Sequence, residues 1–243
     1  MIGTASPLAR KLTAFADLNP TELDSLADLQ SRRRQFSGGR EMGAQIPHDQ
    51  TAFVLTEGWA CSYKLRSGGV RQIVDFRIPG DFLGMNSMLL RTSDQAIRPI
   101  TAVTAAEFNR KDIQNTMVQT PNLGFALMWS ASRDEAMLAD HVVSLTRRNA
   151  AERTAHFLLE LAARMQMVGL GTTQGYDCPL SLYMIADANG VSAIQISRVL
   201  RQLRQAGFAS FENGRVQFQE FDGLVAFADF DRTYLDHRGP MSS

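Results

Sequence analysis

The pattern of apolar and polar positions changes character along the chain. Residues 1–30 read as a short helical lead-in, in which Asn19-Pro20-Thr21-Glu22 opens a helix carrying Leu23, Leu26 and Leu29. Arg32-Arg33-Arg34 closes it, and three cations at that place are read as complementing the helix dipole rather than as a nucleic-acid patch. From Gln35 to Phe108 short alternating runs are punctuated by glycine. Thr51 to Leu55 and Trp59 to Leu65 flank Glu57-Gly58, and Arg71 to Phe76 follows Ser67-Gly68-Gly69. This predicts a compact antiparallel sheet, closed into a roll or barrel. After Pro121 the alternation stops and a helix of more than twenty residues begins. Leu127, Ala131, Leu138 and Leu145 recur along it, with Asp134 and His141 completing one seam. Such a seam fits a coiled-coil contact with a second copy, where buried polar positions fix register, and equally a helix packed on its own barrel. A second helix, from Ala150 to Met167, carries Phe157, Leu158, Leu161 and Met165. Gly169, Gly171 and Gly175 then read as a flexible connection to Cys178-Pro179.

The stretch from Leu180 to Phe218 is the most informative. Ser181 is an N-cap for a short helix with Leu182, Ile185 and Ala186 on its inner face, and Asn189-Gly190 ends it. Ser192 caps the next helix. There Ile196, Val199, Leu200 and Leu203 recur at helical spacing, while Gln195, Ser197, Arg198, Arg201, Gln202 and Arg204 leave a polar face whose charges are all basic. Gly207 reads as the C-cap. Phe208 to Phe211 and Arg215 to Phe218 flank Asn213-Gly214, a strong two-residue hairpin signal. Two short helices, a turn and a two-stranded wing make a shape that enters a DNA groove. A solvated helix pair gives the same arginine pattern. Asn189 occupies a position where such motifs bury an aliphatic residue.

Composition changes this picture in one respect. The 243 residues carry no net formal charge, but from Arg147 to Arg215 there are eight Arg against five Asp and Glu, whereas from Val216 onward two Arg face five acids. The positive field is local, which argues against a charge-driven coating protein and agrees with a site-specific one. No apolar run has membrane length and Met1-Ile2-Gly3-Thr4 lacks a signal-peptide plan, so a cytoplasmic location is expected. Cys61 and Cys178 are too few for a thiolate cluster or a disulfide framework. No Gly-rich phosphate loop, His-Glu-x-x-His or nucleophile elbow is present, so no enzyme is expected.

With this architecture in view, the chain resembles the Crp/Fnr superfamily of bacterial transcription regulators, and within it the nitrogen-fixation-regulator-like branch of alphaproteobacteria. The resemblance rests on Pro79-Gly80-Asp81-Phe82-Leu83-Gly84, on Arg147 to Arg153, on Ile185-Ala186-Asp187, on Ile196 to Arg204 and on Phe230-Asp231-Arg232-Thr233-Tyr234-Leu235. It implies an α+β chain with a cyclic-nucleotide-binding-like β-roll sensor domain over 1–120, a dimerisation helix over 121–146 and a winged helix-turn-helix domain over 147–243. It further implies a homodimer that binds palindromic double-stranded DNA and recruits or blocks RNA polymerase. Two heads would then lie one DNA turn apart, about 34 Å.

By the same resemblance, Arg198 aims at a guanine, Ser197 matches the oxygen-responsive branch, and Gln195 reaches a base edge or phosphate. Arg201 and Arg204 hold phosphates, and Ser192, Ala193 and Ile194 open the reading helix. Several relatives carry Arg and Glu where Ala193 and Ile194 stand, so the operator is expected to depart from their half-site.

The sensor end departs further. Cyclic-AMP-binding members follow the barrel glycine with Glu and later supply Arg-Ser. Here Met85 follows Gly84, Ala96 and Ile97 take the Arg-Ser places, and Arg98 is displaced along the strand. A buried phosphate without its arginine is an unpaired charge, so cyclic AMP is not expected as the effector. The cysteine cluster of iron–sulfur members is also missing, and no cofactor or metal is expected. Cys178, before a proline and taken as the more exposed thiol, is a candidate for oxidation. His48 and His141 read as structural rather than as haem or metal ligands. The rival to a DNA reader is an effector-binding or protein-interaction module that has lost sequence-specific reading.

Overall fold

The computed structural model describes residues 5–42, 51–65, 68–69, 71–90 and 95–235; His48 lies outside them. The chain divides into two compact units, with the division between Ser132 and Arg133, inside its longest helix.

The first unit opens with two capped helices. In α1 (Pro7–Thr13) the Ser6 hydroxyl accepts from the Ala9 amide, and in α2 (Pro20–Leu29) Asn19 and Glu22 form a reciprocal capping box. Leu26 and Leu29 are buried, whereas Leu23 stays exposed. The arginine triplet does not end this helix. Arg33 and Arg34 lie in β1 (Arg33–Phe36), the last turn of α2 has no cation, and the guanidiniums of Arg32 and Arg34 pair with Asp112 and Glu107. Sequence-distant carboxylates, not a dipole, account for them.

The strands that follow are β2 (Thr51–Glu57), β3 (Ala60–Leu65), β4 (Arg71–Arg77), β5 (Phe82–Leu83), β6 (Ala96–Pro99) and β7 (Val103–Asn109), with α3 (Met85–Leu89) between β5 and β6. They form an antiparallel roll of two sheets, ordered β1-β7-β2-β5 and β4-β3-β6. Gly58 turns the chain between β2 and β3 at φ +86°, where a Cβ would lie 2.1 Å from the Ala102 carbonyl oxygen, so only glycine fits. One core cluster joins Leu8, Leu12 and Leu26 of the lead-in helices to Val54, Phe108 and the start of α5 (Pro121–Arg147), which follows α4 (Arg110–Gln119). Within this unit Lys11 Nζ lies 2.9 Å from Asp81 Oδ1 with both side chains buried, and Asp81 Oδ2 accepts from the Ile78 amide at 3.0 Å.

In the second unit, Asn149 and Glu152 build the capping box of α6 (Ala150–Met167). Its inner face is Ala155, Leu158, Leu159, Leu161, Ala162 and Met165, and Phe157 is only half-buried. The glycine-rich stretch after it is not a flexible connection. It pairs as β8 (Gly171–Thr172) with β9 (Gly175–Asp177), and β9 pairs in turn with β11 (Arg215–Phe218). With β10 (Ala209–Glu212) these strands make a four-stranded sheet in the order β10-β11-β9-β8. The glycines are there for close approach. At Gly175, with φ +145°, a Cβ would stand 2.1 Å from the Val216 carbonyl oxygen. Tyr176, fully buried, donates its hydroxyl to the Leu158 carbonyl at 3.0 Å and pins the sheet to α6. Helices α7 (Leu182–Asn189), α8 (Ala193–Gln205) and α9 (Phe221–Phe227) complete the unit, followed by a 3-10 turn over Thr233–Leu235.

Candidate nucleic-acid interface

Two serines and a glycine set the helix pair. The Ser181 hydroxyl accepts from the Met184 amide and starts α7, and Gly190 at φ +64° ends it. The Ser192 hydroxyl then accepts from the Gln195 amide and starts α8, two residues after the turn. So short a connection suits two helices that cross at a steep angle. Ile185, Ala186 and Ala188 of α7 are buried, as are Ile196, Val199 and Leu203 of α8, while Leu182 and Leu200 are half-buried. The helix runs to Gln205 with Ala206 as its C-cap, one residue earlier than the Gly207 read from sequence, and Gly207 follows at φ +74°. Asn189 is buried, with its Nδ2 donating to the Ile185 carbonyl at 2.8 Å and its Oδ1 without a hydrogen-bond partner. A buried acceptor left so costs about 1–3 kcal/mol.

The opposite face of α8 is open. Ser192, Ile194, Gln195, Arg198, Arg201, Gln202 and Arg204 are exposed, and Ala193 and Ser197 are half-buried. Ile194, Arg198 and Arg201 follow one another at four- and three-residue steps and therefore share a face. Arg198 and Arg201 form no hydrogen bond or ion pair among the described residues. Arg204 differs, because it pairs with Glu212 at the tip of β10. That pair is more than half exposed on both sides, so it contributes little to stability and is readily exchanged for a phosphate. The tip between β10 and β11 has Asn213 at φ +52° and Gly214 at φ +72°, the two positive values of a type I′ turn. The register runs Ala209↔Phe218 through Glu212↔Arg215, which makes the wing two full strands.

Cys178 is not an exposed thiol. It is fully buried, its amide donates to the Gly214 carbonyl at 2.7 Å, and burial pushes its pKa up to about 12, so the reactive thiolate is disfavoured. Cys61 is likewise buried.

On α5, the seam read from sequence is displaced by its packing. Leu127 is 8% exposed and belongs to the core of the first unit. Asp134, His141 and Leu145 are half-buried, and Ala131 and Leu138 are exposed. The large apolar residues left in solvent are Phe125, Met128, Leu138, Val142 and Val143. Met128, Ala131, Glu135, Leu138, Val142 and Leu145 thus follow one another at alternating three- and four-residue steps, a stripe beside the expected one.

Sequence reasoning missed a polar cluster behind the reading helices. Asp140 Oδ2 lies 3.3 Å from Arg148 Nη1 and 3.1 Å from Nε2 of the buried His156, the latter out of line for a straight hydrogen bond. Glu160 accepts from the Tyr234 hydroxyl at 2.9 Å, and the Tyr234 ring stacks on His156 while Phe230 meets it edge-on. Ligand atoms of Asp140, His156 and Glu160 all lie within 4.8 Å of one another. Arg148 and the Tyr234 hydroxyl already satisfy the two carboxylates, which makes this a structural network tying the C-terminal segment to α6. The one visible trace in sequence was the Phe230 to Leu235 motif, which carried no chemistry of its own.

Comparison with known proteins agrees with this architecture. Residues 152–227 match the Crp-like helix-turn-helix domain and residues 45–120 the cyclic nucleotide-binding domain. The chain is 31% identical over 219 residues to the nitrogen fixation regulation protein FixK of Bradyrhizobium diazoefficiens, covering 90% of this chain and 91% of the relative. It is 27% identical over 216 residues to the transcriptional activator protein FnrA of Stutzerimonas stutzeri, covering 87% of this chain and 86% of that one. Among solved structures it is similar to FixK2 from Bradyrhizobium japonicum, with a TM-score of 0.68 at 24% identity over 80% of this chain and 96% of that chain.

Proposed function

The chain belongs to the Crp/Fnr family of DNA-binding transcription regulators, and from that premise we propose that it acts as a homodimer on a palindromic promoter site, reading bases with α8 and holding phosphates around it. The observation that carries this reading is the exposed, internally unpartnered pair Arg198 and Arg201 beside a rigid wing. A guanidinium bridges O6 and N7 of guanine with two hydrogen bonds, worth about 1–3 kcal/mol of discrimination, and Arg198 is the residue assigned that role. Gln195, one turn before Arg198, and Ser197, at the edge of the open surface, take neighbouring base edges. Arg201 and, once released from Glu212, Arg204 take phosphates, which fix register without reading sequence. Ser192 and Ala193 bring the helix start close to the backbone.

Homodimerisation runs along α5, with Ala131, Leu138 and Leu145 joined by Met128 and Val142, and with Asp134 and His141 flanking the stripe. The exposed apolar residues on that face support it, since side chains of that size are otherwise costly to leave in water. RNA polymerase is the partner through which DNA occupancy becomes regulation. No helix among the described residues is long and apolar enough to cross a membrane, which agrees with action at DNA in the cytoplasm.

The residues of the β-roll do not fit cyclic AMP. Met85 stands where the ribose carboxylate is needed, and Arg98 donates its Nε to the Gly39 carbonyl at 2.9 Å. A cyclic phosphate placed among Ala96 and Ile97 would lack, at those two positions, the arginine that offsets its burial. The effector, if one acts, is of another chemistry.

Selection of bound duplexes from a random pool by the purified dimer, with and without cell extract, tests the whole reading. An enriched palindrome is expected, and its loss in the Arg198→Ala variant with residual salt-sensitive binding marks a base reader. Failure to enrich any site under both conditions would favour the rival, a module that no longer reads DNA.

A further inference from the structure

Resting on that reading, we infer that Ile194 reads a thymine methyl group, so that each half-site carries a T·A pair next to the guanine taken by Arg198. Ile194 is the second residue of α8 and is 67% exposed, whereas every other branched aliphatic side chain of that helix is buried or half-buried among the described residues. It stands one turn before Arg198 on the same face, so the two side chains reach adjacent steps of one groove. The first turn of α8 holds no acidic residue. A carboxylate there would accept from the cytosine amino group, and without one a cytosine at that step leaves its donor facing an apolar side chain. The 5-methyl group of thymine is the one apolar feature that the major groove presents, and a branched aliphatic side chain complements it. Desolvation therefore selects T over C at this step from both directions, through methyl burial and through the unpaired amino group.

The test begins with the site enriched by selection. Each thymine in one half-site is replaced in turn by uracil, which removes only the methyl. Burial of one methyl group sets the scale, so binding is expected to weaken about threefold to fivefold at one thymine adjacent to the Arg198-dependent guanine, and nowhere else. In the Ile194→Ser variant that difference should vanish while the guanine preference stays. The Ile194→Glu variant should move the selected base from thymine to cytosine, a gain that misfolding cannot produce. An enriched palindrome that tolerates uracil at every thymine, or an Ile194→Glu variant with an unchanged site, overturns the inference and leaves the reading by Arg198 intact. If no site is enriched, the DNA-reading assignment itself fails and this inference falls with it.

Discussion

The paired cations of the first unit and Arg198 and Arg201 of α8 use charge in opposite ways. In the first unit, Lys11 is matched with Asp81 in the core, Arg32 with Asp112, Arg34 with Glu107, and Arg98 with the Gly39 carbonyl. On α8, Arg198 and Arg201 stand exposed and unmatched. Both units contain arginines, so the number of cations says little. A cation buried with its partner, as Lys11 is, is scaffold, and one held on a rigid helix without a partner is available to an external anion or base. The zero net charge of the whole chain hides this division.

The largest expected effect breaks the matched side of the comparison. Lys11→Met leaves Asp81 buried without its cation and should destabilise the first unit by about 3–5 kcal/mol, read by denaturant unfolding. A loss under 1 kcal/mol would show that the pair is not integral to the roll. Arg198→Ala probes the unmatched side. It should leave the unfolding transition unchanged and remove about 1–3 kcal/mol of discrimination between the selected operator and a scrambled duplex, measured by competition binding. A uniform loss on both duplexes would make Arg198 a phosphate contact instead.

The second unit also contains matched charge, around His156, and pH sharpens that point. Burial, with Arg148 nearby, pushes the imidazole from 6.5 down to about 4 against the opposing pull of Asp140. The unfolded chain binds the proton near 6.5 and the folded unit only near 4, so stability present above pH 6.5 is lost as the pH falls through that window. Thermal unfolding across pH 4–7 should show this slope in the wild type and a shallower one in His156→Gln. Equal slopes would put the acid sensitivity elsewhere. The smallest effect is expected at Asn189, where Asn189→Leu removes an unsatisfied buried acceptor and should raise stability by about 1 kcal/mol. A fall in melting temperature would mean that its hydrogen bond to the Ile185 carbonyl outweighs the orphaned oxygen.

Much of the reading head was legible because its signals are local. Ser181 and Ser192 satisfy amides three residues away, Gly190 supplies a positive φ, and Asn213-Gly214 twists a hairpin by its own backbone preference. The face of α8 followed from spacing alone, with Ile196, Val199 and Leu203 buried as the 3.6-residue period requires. The capping box at Asn149 and Glu152 belongs to the same class. Where the decisive partner is remote in sequence, local rules misread the residue. Gly175 resembles a linker glycine, yet it is needed because β11 passes some forty residues later in sequence. Arg34 resembles a helix-end cation, yet it answers Glu107.

What the sequence by itself determined, then, is the helix pair and wing of the reading head and which face of its helices is apolar, since capping, turn chemistry and periodicity act within a few residues. Only the tertiary structure decided which apolar and charged groups remain for a partner. Leu127 left the α5 seam for the core cluster it shares with Leu8, Leu12 and Leu26, and Cys178 lost its reactivity because it is buried against the wing, its amide bonded to the Gly214 carbonyl. Arg198 kept its availability because no carboxylate among the described residues folds back to meet it. Burial and charge pairing depend on what the rest of the chain brings alongside, and no window of neighbouring residues contains that information.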